Sequence, residues 1–440
     1  MSGRREAGRW ILLWLLGLDL RVTVLALAPV LPAVTRQLHL DHAAVGALAN
    51  LPVLLFGVGA ALGSFVVGRL GTRRAILVGL VMAAAGGALR GVGASVPVLF
   101  GCTFVMGLGI AVFQPGLPLL VREWRPHGVG AATAVYGNGL LAGETLAAAL
   151  TLTVVLRITG SWAGSLAFWS GPLALTAVVA LLHRSWHDPP TRSAPGPAAE
   201  PAVAVAPLEV PVPLRAAGGA VGGAAGRGRS WPNLADPRTW RLGLVQGGTS
   251  TAYFGVNAFL PGYLHAIGRG GLVGPALTVL NVSQLPASVL VFVRAERLVR
   301  HRWALPLLSA AAVAISAGML VSSSPAVLLV LAGLLGFSTA LMLLLVLALP
   351  PVMAPARDVA RVTAGMFTIG YSIAFLLPLL AGLASDATGS VRVTLAPALI
   401  GAGFAAVAAT SLRPDRAAPA PAGAGGAGAR AKALRDRAGP

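Results

Sequence analysis

The chain has 440 residues, of which 56% are hydrophobic and 11% charged, with a mean hydropathy of +0.79. A soluble globular core cannot hide that much apolar surface, so the composition excludes a soluble enzyme or binding domain and indicates a polytopic membrane protein. The formal net charge of +19 raises nucleic acid as a partner only if the basic residues cluster outside the membrane without topological order.

Apolar stretches of about 20 residues suffice to cross a bilayer. They predict twelve spans, at residues 10–34, 43–67, 75–93, 97–120, 129–156, 161–183, 241–265, 272–293, 303–321, 325–349, 362–384 and 391–412, numbered 1 to 12 below. The expected fold class is therefore an all-α membrane protein with two pseudo-symmetric six-helix halves, residues 1–183 and 241–412. Between them, residues 184–240 form a Pro-, Ala- and Gly-rich cytoplasmic linker that cannot bury a core, and residues 413–440 form a disordered tail of the same character.

Span 1 reads LGLDLRVTV around Asp19 and Arg21. An ionisable residue at mid-membrane costs ~2.5 kcal/mol or more and marks a bundle interior or solute path, which makes Arg21 the first functional candidate. The start of the chain imitates a signal peptide, with Arg4 and Arg5 ahead of an apolar run, but Asp19 and Arg21 interrupt that run. Asp19 is a poor partner for Arg21, since two residues at ~100° each place it on nearly the opposite helix face. Glu144, mid-way along span 5, is the better one. Arg90, near the outer end of span 3, is read either as drawing anions towards the pathway or as snorkelling to the interface.

All but six of the 33 basic residues fall on the N-terminal side of the membrane. The exceptions are Arg36, Arg157, Arg269 and Arg392 on the other side, and Arg21 and Arg90 within spans. By the positive-inside rule both termini are cytoplasmic, and nucleic acid is not needed to explain the charge. Cys102 is the single cysteine, so no intramolecular disulfide forms. The seven histidines lack ligand-like spacing, and neither metal nor cofactor is expected.

The halves repeat at a nearly constant offset. Leu31 and Pro32 recur 229 residues on as Leu260 and Pro261, and Gly107 recurs as Gly336; Arg69 and Leu70 recur at 228 as Arg297 and Leu298, and Thr133 and Ala134 at 230 as Thr363 and Ala364. Such a parallel duplication places a binding site midway through the membrane between the halves. Arg21 maps onto Ser250 in span 7. Ser250 belongs to a stripe, Gln246, Ser250, Tyr253 and Asn257, that shares one helical face, and Asn281, Gln284 and Ser288 form a shorter stripe in span 8. These side chains either line a cavity or tie helices together by hydrogen bonds. Tyr136 and Tyr371 are further candidates for a polar or aromatic solute.

Several segments carry a family resemblance. LDLRVTVLALAPVLPAV, GALANLPVLLFGVGAALGSFVVGRLGTRR, GGALRGVG around Arg90, GLGIAVFQPGLPLLVREWRP and LPPVMAPARDVARVTAGMFTIGYSIAFLLPLLAGLASDATGS resemble the cyanate permease and 2-nitroimidazole exporter family of the major facilitator superfamily. The family usually has Asn where this chain has Asp19, agrees at Arg21, and lacks an acid at Glu144. Arg69, Gly71, Arg73 and Arg74 are similar to the superfamily's gating loop between spans 2 and 3, with Gly68 in place of its usual acid. The Gly-Pro signature common in span 5 of proton-coupled drug antiporters is absent from GNGLLAGETLAAAL.

The resulting expectation is a monomeric, non-enzymatic secondary transporter in the cell membrane. It moves a small anion or small polar heterocycle by alternating access. Arg21, Ser250, Tyr253, Asn257, Gln284 and Tyr371 contact the solute, and Glu144 and Asp19 are candidates for proton coupling or for structural pairing. Proton-driven multidrug export is the alternative within transport. A membrane transferase lacks the acidic cluster it would need, and a passive channel stays open.

Overall fold

The computed structural model describes residues 2–92, 95–125, 129–182, 234–322, 324–354 and 358–412, and all regular structure among them is helical. Eleven helical stretches among the described residues are long and apolar enough to cross a membrane, from Glu6–Leu38 to Val391–Thr410. Span 7 joins them as Pro237–Ala266, 30 residues or ~45 Å long, although its Gln, Ser, Thr and Asn content makes it more polar than the rest. Every residue from Val245 to Pro261 is buried. A helix wrapped by other helices needs no lipid-facing stripe, so it can carry groups that a lipid-exposed helix cannot.

The repeat survives in the helix positions. Val96 and Pro325, the first residues of spans 4 and 10, stand 229 apart. Span 2 (His42–Leu70) and span 11 (Val359–Thr388) form the most extensive helix pair, and spans 5 and 8 also meet, so each half contributes to two seams between the halves.

Span 7 begins at Pro237, within the stretch expected as linker. Asp236 accepts the Arg238 amide at 2.8 Å, and proline at the first helical position has no amide to leave unsatisfied. The remainder of the expected linker, 184–233, and the tail, 413–440, lie outside the described residues.

Span 1 is not the single helix that its apolar run suggests. It consists of Ser2–Asp19, Val22–Leu25 and Leu27–Leu38. Around the first break the ladder tightens, with the Leu20 amide on the Gly17 carbonyl and the Arg21 amide on the Leu18 carbonyl, both at 3.2 Å. After the second break, Pro29 has no amide to offer the Leu25 carbonyl. Span 8 is also interrupted, between Val273–Val282 and Gln284–Arg300. Both breaks lie where the halves meet.

Candidate functional site

Span 5 (Val129–Leu150 in its first, α-helical part) crosses span 1 at unusually short range. A Cβ on Gly139 or Gly143 would strike the carbonyls of Trp14 and Leu18, and one on Gly17 would strike the carbonyl of Tyr136. Glycine at these crossing points lets the two backbones touch. It carries Glu144, the next residue after Gly143, up to the break in span 1.

There the Arg21 Nε stands 3.4 Å from Glu144 Oε1, with both side chains at least nine-tenths buried. The pair is ionic without hydrogen-bond geometry, and Nε and Nη1 of Arg21 have no hydrogen-bond partner among the described residues. The guanidinium carbon lies 4.8 Å from the Phe56 ring centroid and 5.2 Å from that of Phe254, one ring from span 2 and one from span 7. Phe56 in turn meets Tyr371 edge-on at 6.0 Å, and Tyr371 stacks on Phe367 at 5.5 Å. A cation facing desolvated rings is favoured by about 2 kcal/mol, yet rings leave its N–H groups unsatisfied. Such a group retains donors for an acceptor of opposite charge.

Glu144 continues the contact into the second half. Its Oε2 accepts from Gln284 Nε2 at 3.0 Å. The same amide group lies 3.1 Å from the Tyr253 hydroxyl and 3.3 Å from Asn281 Oδ1. The Tyr253 hydroxyl donates to Asn281 Oδ1 at 2.6 Å, and Asn281 Nδ2 reaches Asn257 Oδ1 at 3.3 Å and the Leu277 carbonyl at 2.8 Å. Arg21, Glu144, Gln284, Tyr253, Asn281 and Asn257 thus form one buried chain of polar contacts across the two halves.

The expected stripe of span 7 divides. Tyr253 and Asn257 join this chain, whereas Gln246 and Ser250 bond to one another at 3.0 Å. Among the described residues, Ser288 bonds only the Leu285 carbonyl. Tyr136 meets span 1 through its backbone beside Gly17. Asp19 is fully buried at the end of the first helical segment, and among the described residues neither carboxylate oxygen has a partner in hydrogen-bond geometry, although the Thr176 hydroxyl of span 6 lies beside it. It also stands at the negative end of that helix, apart from the Arg21 pair.

Arg90 is 1% exposed and donates from Nη2 to the Thr23 carbonyl at 2.9 Å. Neither an exposed mouth nor an interfacial position describes it, because span 3 ends against span 1 and the span 6 segment rather than in water. In the loop after span 2, Gly71 has φ +80°, a conformation that glycine adopts without strain, and Arg69 lies over the Phe65 ring at 4.8 Å. Arg73 and Arg74 start span 3 beside Thr72, whose hydroxyl donates to Glu123 at 2.8 Å. Phe56, Phe254 and Glu123 were not singled out from the sequence, where nothing separates them from ordinary core or surface residues.

At the end of the bundle away from the N-terminus, a cavity of about 230 Å³ opens between the halves, lined by Arg36, His42, Tyr263, His265 and Thr394 among others. Leu31, at its wall, is ~15 Å along the span from Arg21 at ~1.5 Å per residue. Beside it, Asp386 of span 11 accepts the His42 amide at 3.0 Å and the Ala43 amide at 2.9 Å, and lies 2.7 Å from His42 Nδ1. A carboxylate from one half therefore caps the first helical turn of span 2 in the other.

Residues 10–291 match the Major Facilitator Superfamily. Among curated relatives, the chain is 25% identical over 386 residues to the cyanate transport protein CynX of Escherichia coli (strain K12), covering 86% of this chain and 90% of that one. It is 35% identical over 147 residues to the 2-nitroimidazole transporter of the same organism, covering 33% and 37%. It is 30% identical over 161 residues to the uncharacterized transporter YycB of Bacillus subtilis (strain 168), covering 37% of this chain and 40% of that one. Among solved structures, a bacterial homolog of the human lysosomal transporter Spinster, inward-facing and unoccupied, superposes with a TM-score of 0.67 at 15% identity over 94% of this chain and 99% of that one. A point mutant of the nucleoside transporter NupG gives 0.66 at 14% identity, covering 92% and 98%. The chain belongs to the Major Facilitator Superfamily.

Proposed function

We propose that this superfamily member is a secondary transporter for a small anion or small polar heterocycle, held at the Arg21 site between the halves and released by alternating access. The observation that carries this reading is a buried guanidinium with two donor nitrogens, Nε and Nη1, lacking hydrogen-bond partners among the described residues, flanked by a ring from each half. An entering anion supplies the missing acceptors and competes with Glu144 for the same positive charge. Displaced from Arg21, the Glu144 carboxylate is a buried charge without its cation, and taking up a proton removes that cost, so anion binding and proton uptake are linked at one site. Asp19, buried without a cationic partner among the described residues, is the second carboxyl through which coupling runs. Both termini lie in the cytoplasm, and one chain is the working unit because its own two halves complete the site.

The names of two relatives nominate the first compounds, cyanate and 2-nitroimidazole. The test uses purified protein in vesicles. Saturable uptake of either compound, with counterflow and with loss in Arg21→Ala, supports the reading. Flux that neither saturates nor shows counterflow replaces it with a channel. Transport confined to larger drug-like compounds and driven by a pH gradient replaces it with multidrug export.

A further inference from the structure

Arg90 is the second buried arginine of the first half, and the proposed transport cycle gives it no part. It directly follows the helix Thr72–Leu89 and is 1% exposed. Its one hydrogen bond among the described residues runs from Nη2 to the backbone carbonyl of Thr23, at 2.9 Å. Thr23 belongs to the single turn Val22–Leu25 that separates the two breaks in span 1, and Arg21 is the residue immediately before that turn, with φ −128° and ψ −26°.

In a continuous helix the Thr23 carbonyl would accept the Leu27 amide. Here the ladder ends with the Ala26 amide on the Val22 carbonyl and restarts at Leu27, so that bond is not made. A carbonyl freed inside an apolar bundle must find another donor. Arg90 supplies one that is permanently charged, and charge-assisted bonds are about twice as strong as neutral ones. Gly87, three residues earlier on span 3, lets that span pack closely on Ser170 beside Thr23. A Cβ there would lie 3.8 Å from Thr23 Cγ2 and would strike the Ser170 hydroxyl.

We propose that Arg90 is a positioning residue: its guanidinium takes the place of the missing amide at Thr23, holds span 1 in its broken form, and thereby aims Arg21 at Glu144 and at the rings of Phe56 and Phe254. The functional consequence rests on the reading of Arg21 as the anion contact, but the structural step does not. Rewinding residues 20–27 into an unbroken helix would turn the Arg21 side chain out of its present alignment.

The first arm of the test is amide hydrogen exchange over residues 17–30 in the ligand-free, full-length protein. Arg90→Met should speed exchange at residues 20–27 by ~10-fold or more, as expected for loss of a charge-assisted bond, while the rest of the half keeps its wild-type rates. Arg90→Lys retains a charged donor and should shift exchange less; if the Met variant does not fold, Arg90→Gln serves in its place. Unchanged exchange at 20–27 overturns the proposal. So does a rise spread over the whole half with a lower Tm, which would make Arg90 a general packing residue.

The second arm measures cyanate affinity of Arg90→Met in wild-type and Arg21→Lys backgrounds. A loss of ~10-fold in the first that vanishes in the second shows action through Arg21. Equal losses in both overturn it, because Arg90 then meets the anion independently. If neither cyanate nor 2-nitroimidazole binds the wild-type protein, the substrate reading fails on its own and the exchange arm alone decides the role of Arg90.

Discussion

Spans 1 and 7 occupy equivalent places in the duplicated scaffold, Arg21 and Ser250 being 229 residues apart, yet they solve opposite problems. Span 1 is strongly apolar, carries Asp19 and Arg21, and breaks twice around the arginine. Span 7 is the most polar of the twelve and runs 30 residues without interruption. Gln246, Thr249, Ser250, Tyr253 and Asn257 find partners on span 7 itself or on span 8, while the Thr239 and Thr251 hydroxyls and Gln246 Oε1 have none among the described residues. Between these two helices, the charge and the backbone irregularity lie on span 1 and the neutral hydrogen-bonding capacity on span 7. The duplicated helices have thus diverged into a charged arm and a polar arm, which in the proposed function hold and orient the anion.

The comparison breaks most sharply at Arg21. Arg21→Ala should weaken anion binding ~30-fold or more, the expected consequence of removing one partner of a buried charge pair; thermal stabilisation by cyanate against an unchanged yield of folded protein would measure it. Glu144→Gln should come next. In wild-type vesicles, acidifying the side from which the anion enters should accelerate flux, because the displaced carboxylate takes up a proton. The variant should carry flux that follows the anion gradient and ignores pH, and retained pH dependence would remove Glu144 from coupling.

On the polar arm the effects should be smaller. Tyr253→Phe deprives Asn281 and Gln284 of a shared partner and should weaken binding about fivefold, ~1 kcal/mol, as read by titration calorimetry. Phe254→Leu removes one of the two rings over Arg21 and should cost about threefold in the same titration. Ser250→Ala, whose hydroxyl among the described residues meets only Gln246, should stay within about twofold. If Ser250→Ala matched Arg21→Ala, the two arms would be functionally equal and the asymmetry argued from their structures would be wrong.

The spans were legible because the apolar run needed to cross a bilayer is long and local. The candidate site was legible in part. Arg21 and Glu144 stood out because a charge in the membrane is rare, and Tyr253 and Asn257 because a shared face follows from helical periodicity. Gln246 and Ser250 lie on the same face but at another depth, and periodicity carries no information about depth. Phe56 and Phe254 were invisible, since an aromatic side chain above an arginine looks in sequence like any other core residue. The burial of Arg90 was invisible for a related reason. Its position near a span end suggested a mouth or an interface, whereas the neighbouring segments bury it.

The sequence by itself determined the number of spans, the duplication and the residues whose charge demands a partner, because each depends on hydrophobicity, spacing or charge along one segment. Tertiary structure alone decided where span 1 breaks, that Gly139 and Gly143 bring Glu144 to Arg21, and that Gln284 completes the contact between the halves. These depend on which backbones can approach and which freed carbonyls and carboxylates find donors, and those donors lie more than 60 residues away in the chain.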